Sequence, residues 1–461
     1  MTAHTERPSA SAISPWAVAG RAMPRLSRRA GFWAVAGAFF AITAFSTTPS
    51  SLYGLYERQE HLSSLTITLI YGVYAAGIVS SLILAGHVSD WYGRRPVLLP
   101  AVALAMAAAV VFLLWRSLAG LLVARVLTGV ALGAAVATAT AFITDLDGNP
   151  GEPATPRAGI VATAANIGGL AVGPLIAGFL ARYVGHPLTL PFVVVLAALV
   201  AAFGAVALTP EGHPATRPWP PYHPQRLAAP ANARRQFAAA ATGVFTAFAV
   251  AGLFAGLTGT LLAGPLHHTS PSLTGATIFL TFGSSVVVQT TTTRWPAHRL
   301  VAAGVIPLIA GLALVVISAW TSPPSLTVFL ISGVVAGAGI GAIIRGSLTV
   351  AIGTADADDR AGTLATFFTA GYVGISLPVI GIGLALQHLS PRVTLLIFGV
   401  AVVLVILAAA PILTRPLQPP SPQEESEPEP ITGMCRCFGA ANSLERDACG
   451  VSAASPEGVK A

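Results

Sequence analysis

The sequence predicts an all-α membrane protein, with twelve transmembrane helices arranged as two pseudo-symmetric six-helix bundles. Three observations carry that prediction. Hydrophobic residues make up 54% of the 461-residue chain and charged residues only 9%, whereas a soluble globular chain carries about 25% charged residues. A soluble fold of this length would need the missing charge to cover its surface, and a chain solvated by lipid would not; the mean hydropathy of +0.73 agrees. Apolar runs of the roughly 20 residues that a helix needs to cross a bilayer recur twelve times. One polar stretch, rich in Pro, His and Arg, divides them six and six.

In chain order, residues 1–30 read as a cytoplasmic N-terminal tail. It carries Arg7, Arg21, Arg25, Arg28 and Arg29 ahead of the first apolar run. Its length and polarity argue against a cleaved signal peptide, so the first run is expected to remain as a span. The N-terminal bundle covers 31–209, with spans at roughly 31–52, 66–86, 96–115, 118–143, 158–182 and 190–209. A cytoplasmic linker follows at 210–235. The C-terminal bundle covers 236–414, with spans at roughly 236–262, 273–293, 300–320, 326–350, 362–386 and 393–414. Residues 415–461 are rich in Pro, Glu and Ser, show no periodic apolar face and read as a disordered cytoplasmic tail.

Arginine placement sets the orientation. With the N-terminus in the cytoplasm, 19 of the 25 basic residues fall on that side, and Arg58, Arg116, Arg182 and Arg392 fall on the other. This is the positive-inside pattern, and it predicts a multi-pass protein of the cytoplasmic (inner) membrane with both termini inside. The net charge of +7 therefore marks contact with the anionic leaflet of a lipid bilayer and gives no basic face for nucleic acid. The three cysteines, Cys435, Cys437 and Cys449, lie in the C-terminal tail without the partners a zinc spacing needs. No metal and no cofactor is expected.

The halves echo each other. Arg157-Ala-Gly-Ile-Val-Ala-Thr opens span 5 and Arg360-Ala-Gly-Thr-Leu-Ala-Thr opens span 11, each after a short acidic loop holding Asp145, Asp147 and Glu152 or Asp356, Asp358 and Asp359. A duplicated six-span unit is the pattern of a carrier whose site lies between its halves.

The loop between spans 2 and 3 reads Gly86-His-Val-Ser-Asp90-Trp-Tyr-Gly93-Arg94-Arg95-Pro. Two glycines permit a tight turn. Asp90, at the end of a helix where its charge opposes the dipole, should seek an arginine or the N-terminus of another helix. This Gly-x-x-x-Asp-x-x-Gly-Arg-Arg pattern resembles the loop motif of the major facilitator superfamily, with Trp91 standing where a basic residue is usual. The resemblance spans about 31–414 and implies a conformational latch: Asp90 capping span 11 across the domain interface, and Arg94 paired with an acid ending span 4, for which Asp145 is the matching candidate. In the second half, Thr-Arg294-Trp-Pro-Ala-His298-Arg299 has lost the glycines and the acid.

Arg125, in Leu-Val-Ala-Arg-Val-Leu-Thr-Gly, lies about two turns into span 4 with Gly129 and Gly133 on the same face. An arginine inside a span is costly unless it faces a polar cavity, so it marks a functional site. It resembles the superfamily's Arg-x-x-x-Gly element, implicated there in proton transfer or substrate binding. Gly169, Gly173 and Pro174 in span 5 form a smooth face, with Gly178 beyond, on which span 8 is expected to pack. They resemble the family's Gly-x-x-x-Gly-Pro element, associated with exporters that exchange substrate for protons. Arg345 in span 10 is a gating or cavity candidate. No Asp or Glu falls within a span, which leaves Glu57, just beyond span 1, as the best titratable carboxylate. Thr43, Thr47, Tyr53, Tyr71, Tyr74, Asn166, Gln289 and Tyr372 complete an apolar, weakly cationic cavity suited to a neutral, amphipathic or anionic solute.

Gly337-Ala-Gly-Ile-Gly-Ala imitates a nucleotide-binding glycine run, but no strand precedes it. No phosphate loop and no catalytic constellation occurs, so neither ATP-driven transport nor an enzyme is expected. The reading is a monomeric secondary active transporter working by alternating access, with efflux of a drug-like compound or metabolite, coupled to protons, favoured over import. A symporter or facilitator for a sugar or organic anion is the alternative, and a transport-dead membrane sensor or scaffold stands behind both.

Overall fold

The computed structural model describes residues 25–86, 88–148, 155–212, 222, 224–355 and 359–415. The N-terminal tail before Arg25, the acidic residues Glu152, Asp356 and Asp358, and the cysteine-bearing tail after Arg415 lie outside the described residues.

Among the described residues, twelve helices are long and apolar enough to cross a membrane. They are spans 1 (Arg28–Thr47), 2 (Ser64–Ala85), 3 (Arg94–Leu114), 4 (Leu118–Leu146), 5 (Pro156–Tyr183) and 6 (Leu190–Leu208), then 7 (Arg234–Ala263), 8 (Pro271–Thr291), 9 (Ala297–Trp320), 10 (Leu326–Thr354), 11 (Arg360–Ala385) and 12 (Pro391–Leu413). No strand occurs among the described residues. Helix starts follow sequence chemistry. Ser27, Ser63, Ser325 and Ser390 accept from the main-chain N–H three residues on, which supplies one orphan donor with an acceptor. Pro156, Pro271 and Pro391 occupy first-turn positions where no N–H is needed. Span 1 does not run on through Tyr56. It breaks into a 3-10 turn, Thr48–Ser51, at Pro49, and helix resumes over Tyr53–Gln59.

Side chains cannot be driven together by the hydrophobic effect inside lipid, so close backbone approach at small residues holds such bundles. In the first half, a Cβ on Gly129 would strike the Tyr74 carbonyl and one on Gly77 would lie 2.5 Å from the Val126 carbonyl, which locks span 4 to span 2. In the second half, Gly339 faces Leu308 of span 9, while Gly337 and Gly341 face Thr281 and Ser285 of span 8. The glycine run that imitates a nucleotide loop is thus a helix-packing ridge.

Loops that alternate sides place the start of span 1, the loop 86–93 and the linker on one face, here called proximal, and the helix Tyr53–Gln59 on the other, called distal. The two six-helix halves meet mainly toward the distal face. Ser376 donates to the Gly72 carbonyl at 3.0 Å, Gly383 abuts Thr68, Gly275 sits on the Pro174 carbonyl and Gly178 on the Pro271 carbonyl. Spans 5 and 8 therefore touch backbone to backbone across the interface, while spans 2 and 11 seat the side chains of Thr68, Ser376 and Ile380 against the glycines of the facing helix.

Candidate functional site

Between the halves lies a cavity of about 330 Å³, within the range of small-molecule sites. Spans 1, 2, 4 and 5 supply one wall and spans 7, 8, 10 and 11 the other. The polar lining includes Ser46, Thr47, Tyr71, Tyr74, Arg125, Thr140, Thr163, Asn166, Ser285, Gln289 and Tyr372; Phe248, Phe282 and Phe368 form an aromatic surface in the second half. Phe248 and Tyr372 meet edge to face at 5.6 Å.

Arg125 is fully buried. Its Nη1 donates to the Ser46 carbonyl at 2.7 Å, its guanidinium carbon stands 4.5 Å from the Tyr74 ring centroid and 5.6 Å from that of Tyr71, and its Nε has no partner. Span 4 can present Arg125 here because Gly129, one turn on, lets spans 2 and 4 close against each other. Cation–π contact and one carbonyl offset only part of the cost of burying the charge. Among the described residues, no acidic side chain lines the cavity.

On the distal side, half-buried Glu57 accepts from Ser64 Oγ at 3.1 Å and from Thr260 Oγ1 of span 7 at 3.3 Å. Arg58 Nη2 donates to the Thr269 carbonyl at 3.4 Å. Burial pushes the Glu57 carboxyl above its usual range, opposed by the two hydroxyl donors and the Arg58 charge. Tyr53, buried beside Tyr71 at 6.4 Å, has a phenol raised by burial and lowered in part by Arg125.

On the proximal side the cavity continues into a second pocket of about 280 Å³ lined by Pro156, Gly159, Ile160, Thr163, Gln289, Thr290, Thr293 and Arg345. Gly159, Thr163 and Gln289 are common to both. Arg345 donates to the carbonyls of Gln289 at 2.9 Å and Thr293 at 3.2 Å.

The loop 86–93 folds as a short helix, Val88–Tyr92, and turns at Gly93 with φ 97°, a conformation that favours glycine; Gly86 stays right-handed at φ −57°. Arg94 is a hub. Its Nε donates to Asp145 Oδ2 at 3.0 Å, and its Nη1 to Ser89 Oγ at 2.9 Å and to Asp90. Glu211 accepts from the main-chain N–H of Arg94 at 2.9 Å and of Arg95 at 3.2 Å, capping span 3. Arg28 donates to the Asp145 carbonyl.

Several expected residues occupy other places. Asp90 is exposed and turned to Arg94 one turn along, not to span 11, whose end is met instead by the linker: Ala228 N donates to the Gly362 carbonyl at 3.3 Å and Thr366 Oγ1 to the Ala228 carbonyl at 2.8 Å. The same linker reaches span 2 through Gln225 N to the Ile83 carbonyl at 2.7 Å and Tyr222 Oη to the Leu84 carbonyl at 2.9 Å. Gly169 and Gly173 pack on Phe40, Thr43 and Ala44 of span 1, not on span 8; it is Gly178 and the Pro174 carbonyl that meet span 8. Gly169 and Gly173, one turn apart, share the face that span 1 covers, while Pro174 and Gly178 share the face toward span 8. Thr43 bonds to the Ala165 carbonyl in that same packing seam and does not line the cavity. Tyr53 and Glu57 sit distal to the cavity, and Arg345 sits in the proximal pocket. Ser46, Ser285, Phe248, Phe282 and Phe368 line the cavity unforeseen; isolated aromatics in otherwise small-residue spans were the available signal.

Comparison with known proteins matches this geometry. The Major Facilitator Superfamily model fits residues 33–377. The bacillibactin exporter of Bacillus subtilis (strain 168) is 28% identical over 134 residues, which is 28% of this chain and 33% of that protein, so the match spans about a third of its length. A bacterial homolog of the human lysosomal transporter Spinster, solved inward-facing and unoccupied, superposes with a TM-score of 0.59 at 18% identity, covering 84% of this chain and 96% of that one. The human organic anion transporter MFSD10 gives 0.59 at 16% identity, with 84% and 100% covered. The peptide transporter POT gives 0.68 at 13% identity, with 83% and 94% covered. These structures share the fold. The chain spans the membrane many times, is a transporter and not an enzyme, and belongs to the Major Facilitator Superfamily.

Proposed function

We propose that this protein is a monomeric, proton-coupled exporter of the cytoplasmic membrane, moving an amphipathic small molecule by alternating access, with both termini in the cytoplasm. The observation that carries the reading is the asymmetry of the central cavity. It continues toward the proximal, arginine-rich side, while spans 2, 5, 8 and 11 close it distally. With the proximal side cytoplasmic, this is the state that loads cargo from inside the cell. The partial likeness to an exporter supports the direction. Glu57, held by Ser64 and Thr260 where the halves meet, is the carboxylate we assign to the proton.

The latch belongs to the same cycle. Arg94, Asp145 and Asp90 form a preassembled charge cluster at the proximal rim, and the opposite state would bring Asp90 to the end of span 11 now held by the linker. A facilitator is the second reading, supported by the absence of any acid among the described residues that line the cavity.

Solute flux in proteoliposomes, with and without an imposed pH gradient, tests the proposal. Uphill movement of a solute driven by the gradient is expected. Flux that ignores the gradient for every transported compound would leave the facilitator and remove proton coupling.

A further inference from the structure

The charge balance of the cavity defines its cargo more narrowly. We infer that it takes an amphipathic organic monoanion, its charged end clasped by Arg125 and its apolar body laid on Phe248, Phe282 and Tyr372. The inference rests on the transporter reading above and adds the substrate class.

Arg125 is buried and cationic, with one main-chain acceptor and two ring faces for company. Buried arginines are ordinarily neutralised by a carboxylate. Here no Asp or Glu among the described residues lines the cavity, so the counter-charge is left for the ligand to bring. The donors that remain point to its chemistry. Nη1 is committed to Ser46, while Nε is buried without a partner. The unpartnered Nε–H is a charged donor that a carboxylate oxygen meets with a short, charge-assisted hydrogen bond.

The rest of the lining selects against the alternatives. A cation would meet Arg125 in a site with little water to screen the repulsion. A neutral solute would leave the orphan Nε unpaired. A dianion would need a second cation, and Arg345 lies in the proximal pocket with two carbonyls already accepting from it. Four rings on the second-half wall, Phe248, Phe282, Phe368 and Tyr372, and a volume of about 330 Å³ suit a compact hydrophobic body.

Calorimetric binding to the purified full chain in nanodiscs tests this with two matched series: 1-naphthaleneacetate, its primary amide and 1-naphthylmethylamine, and decanoate, decanamide and decylamine. Within a series the apolar body is nearly constant and the charge changes. In at least one series the acid is expected to bind at least tenfold more tightly than the amide, with the amine weakest. Arg125→Gln should erase the preference for the acid, and Arg125→Lys should keep part of it. Amide or amine binding as tight as the acid, or no saturable binding of either acid, overturns the inference. So does an acid preference that survives in a folded Arg125→Gln protein. Should that variant fail to fold, the wild-type series decides alone. Acid binding without flux in proteoliposomes would defeat the transporter reading and leave this inference standing; flux of solutes without acid preference would do the reverse.

Discussion

Arg125 of span 4 and Tyr74 of span 2 stand face to face, the guanidinium carbon 4.5 Å from the ring centroid. They do so because Gly129 of span 4 leaves no room for a side chain against the Tyr74 carbonyl. The packing motif and the cavity charge are therefore one device: two backbones in contact, with the buried cation held one turn away over an aromatic face.

That geometry separates function from stability at Arg125. A cation buried without a carboxylate partner costs several kcal/mol that a carbonyl and two rings offset only in part. Arg125→Leu is expected to leave the thermal midpoint unchanged or to raise it, while transport falls at least tenfold. A midpoint that drops by more than about 5 °C would identify Arg125 as a structural strut instead.

The proximal cluster behaves in the opposite way. Arg94 is largely buried and Asp145 only partly exposed, so their pairing is screened less than a surface ion pair. A double-mutant cycle on Arg94→Ala and Asp145→Ala should give a coupling energy of about 1–2 kcal/mol. Arg94→Lys should not restore it, because a point charge cannot serve Asp145, Ser89 and Asp90 together. Additive single-variant effects would show that the three contacts are incidental.

Glycine positions give a paired steric test. A Cβ at Gly173 would collide with the Ala44 carbonyl of span 1, whereas one at Gly204 meets nothing within 4 Å. Gly173→Ala should lower stability by about 1–3 kcal/mol, while Gly204→Ala should be neutral or stabilising by about 0.5–1 kcal/mol. Equal effects in a detergent unfolding assay would contradict the close packing of spans 1 and 5.

Glu57 ties the distal gate to pH. Its carboxyl is raised by burial in the closed gate and would return to its ordinary range once solvated. The closed gate then binds the proton more tightly than the open one. Closure is fully favoured at low pH and weakens as pH rises through the raised value. Spin labels at Gln59→Cys and His267→Cys, in a chain whose three cysteines are replaced by serine, should move apart as pH rises. Glu57→Gln should stay closed at every pH. A distance that shortens with rising pH reverses the assignment.

The linker contacts give one more expectation. Thr366→Val removes the hydroxyl that donates to Ala228, loosening the linker from span 11. The same labels should then report a few-fold larger population of the distal-open state. An unchanged distribution would make the linker a passive tether.

Composition and periodicity alone determined twelve spans, the break between halves and the side on which arginines gather, because lipid leaves a chain no other way to satisfy its backbone. The loop motif was legible too, down to Arg94 and Asp145, since charges at span ends have few places to go. Arg125 was visible as an anomaly because a charge within an apolar run stands out against its neighbours. Tertiary structure decided what sequence periodicity leaves open in lipid, where helices apolar all round carry no signal of which face turns inward. It placed Gly169 and Gly173 on span 1, set Glu57 at the distal gate outside the cavity, turned Asp90 to Arg94, and gathered Ser46, Phe248, Phe282 and Phe368 around the arginine. Those facings depend on which backbone approaches which, and only the packed bundle fixes that.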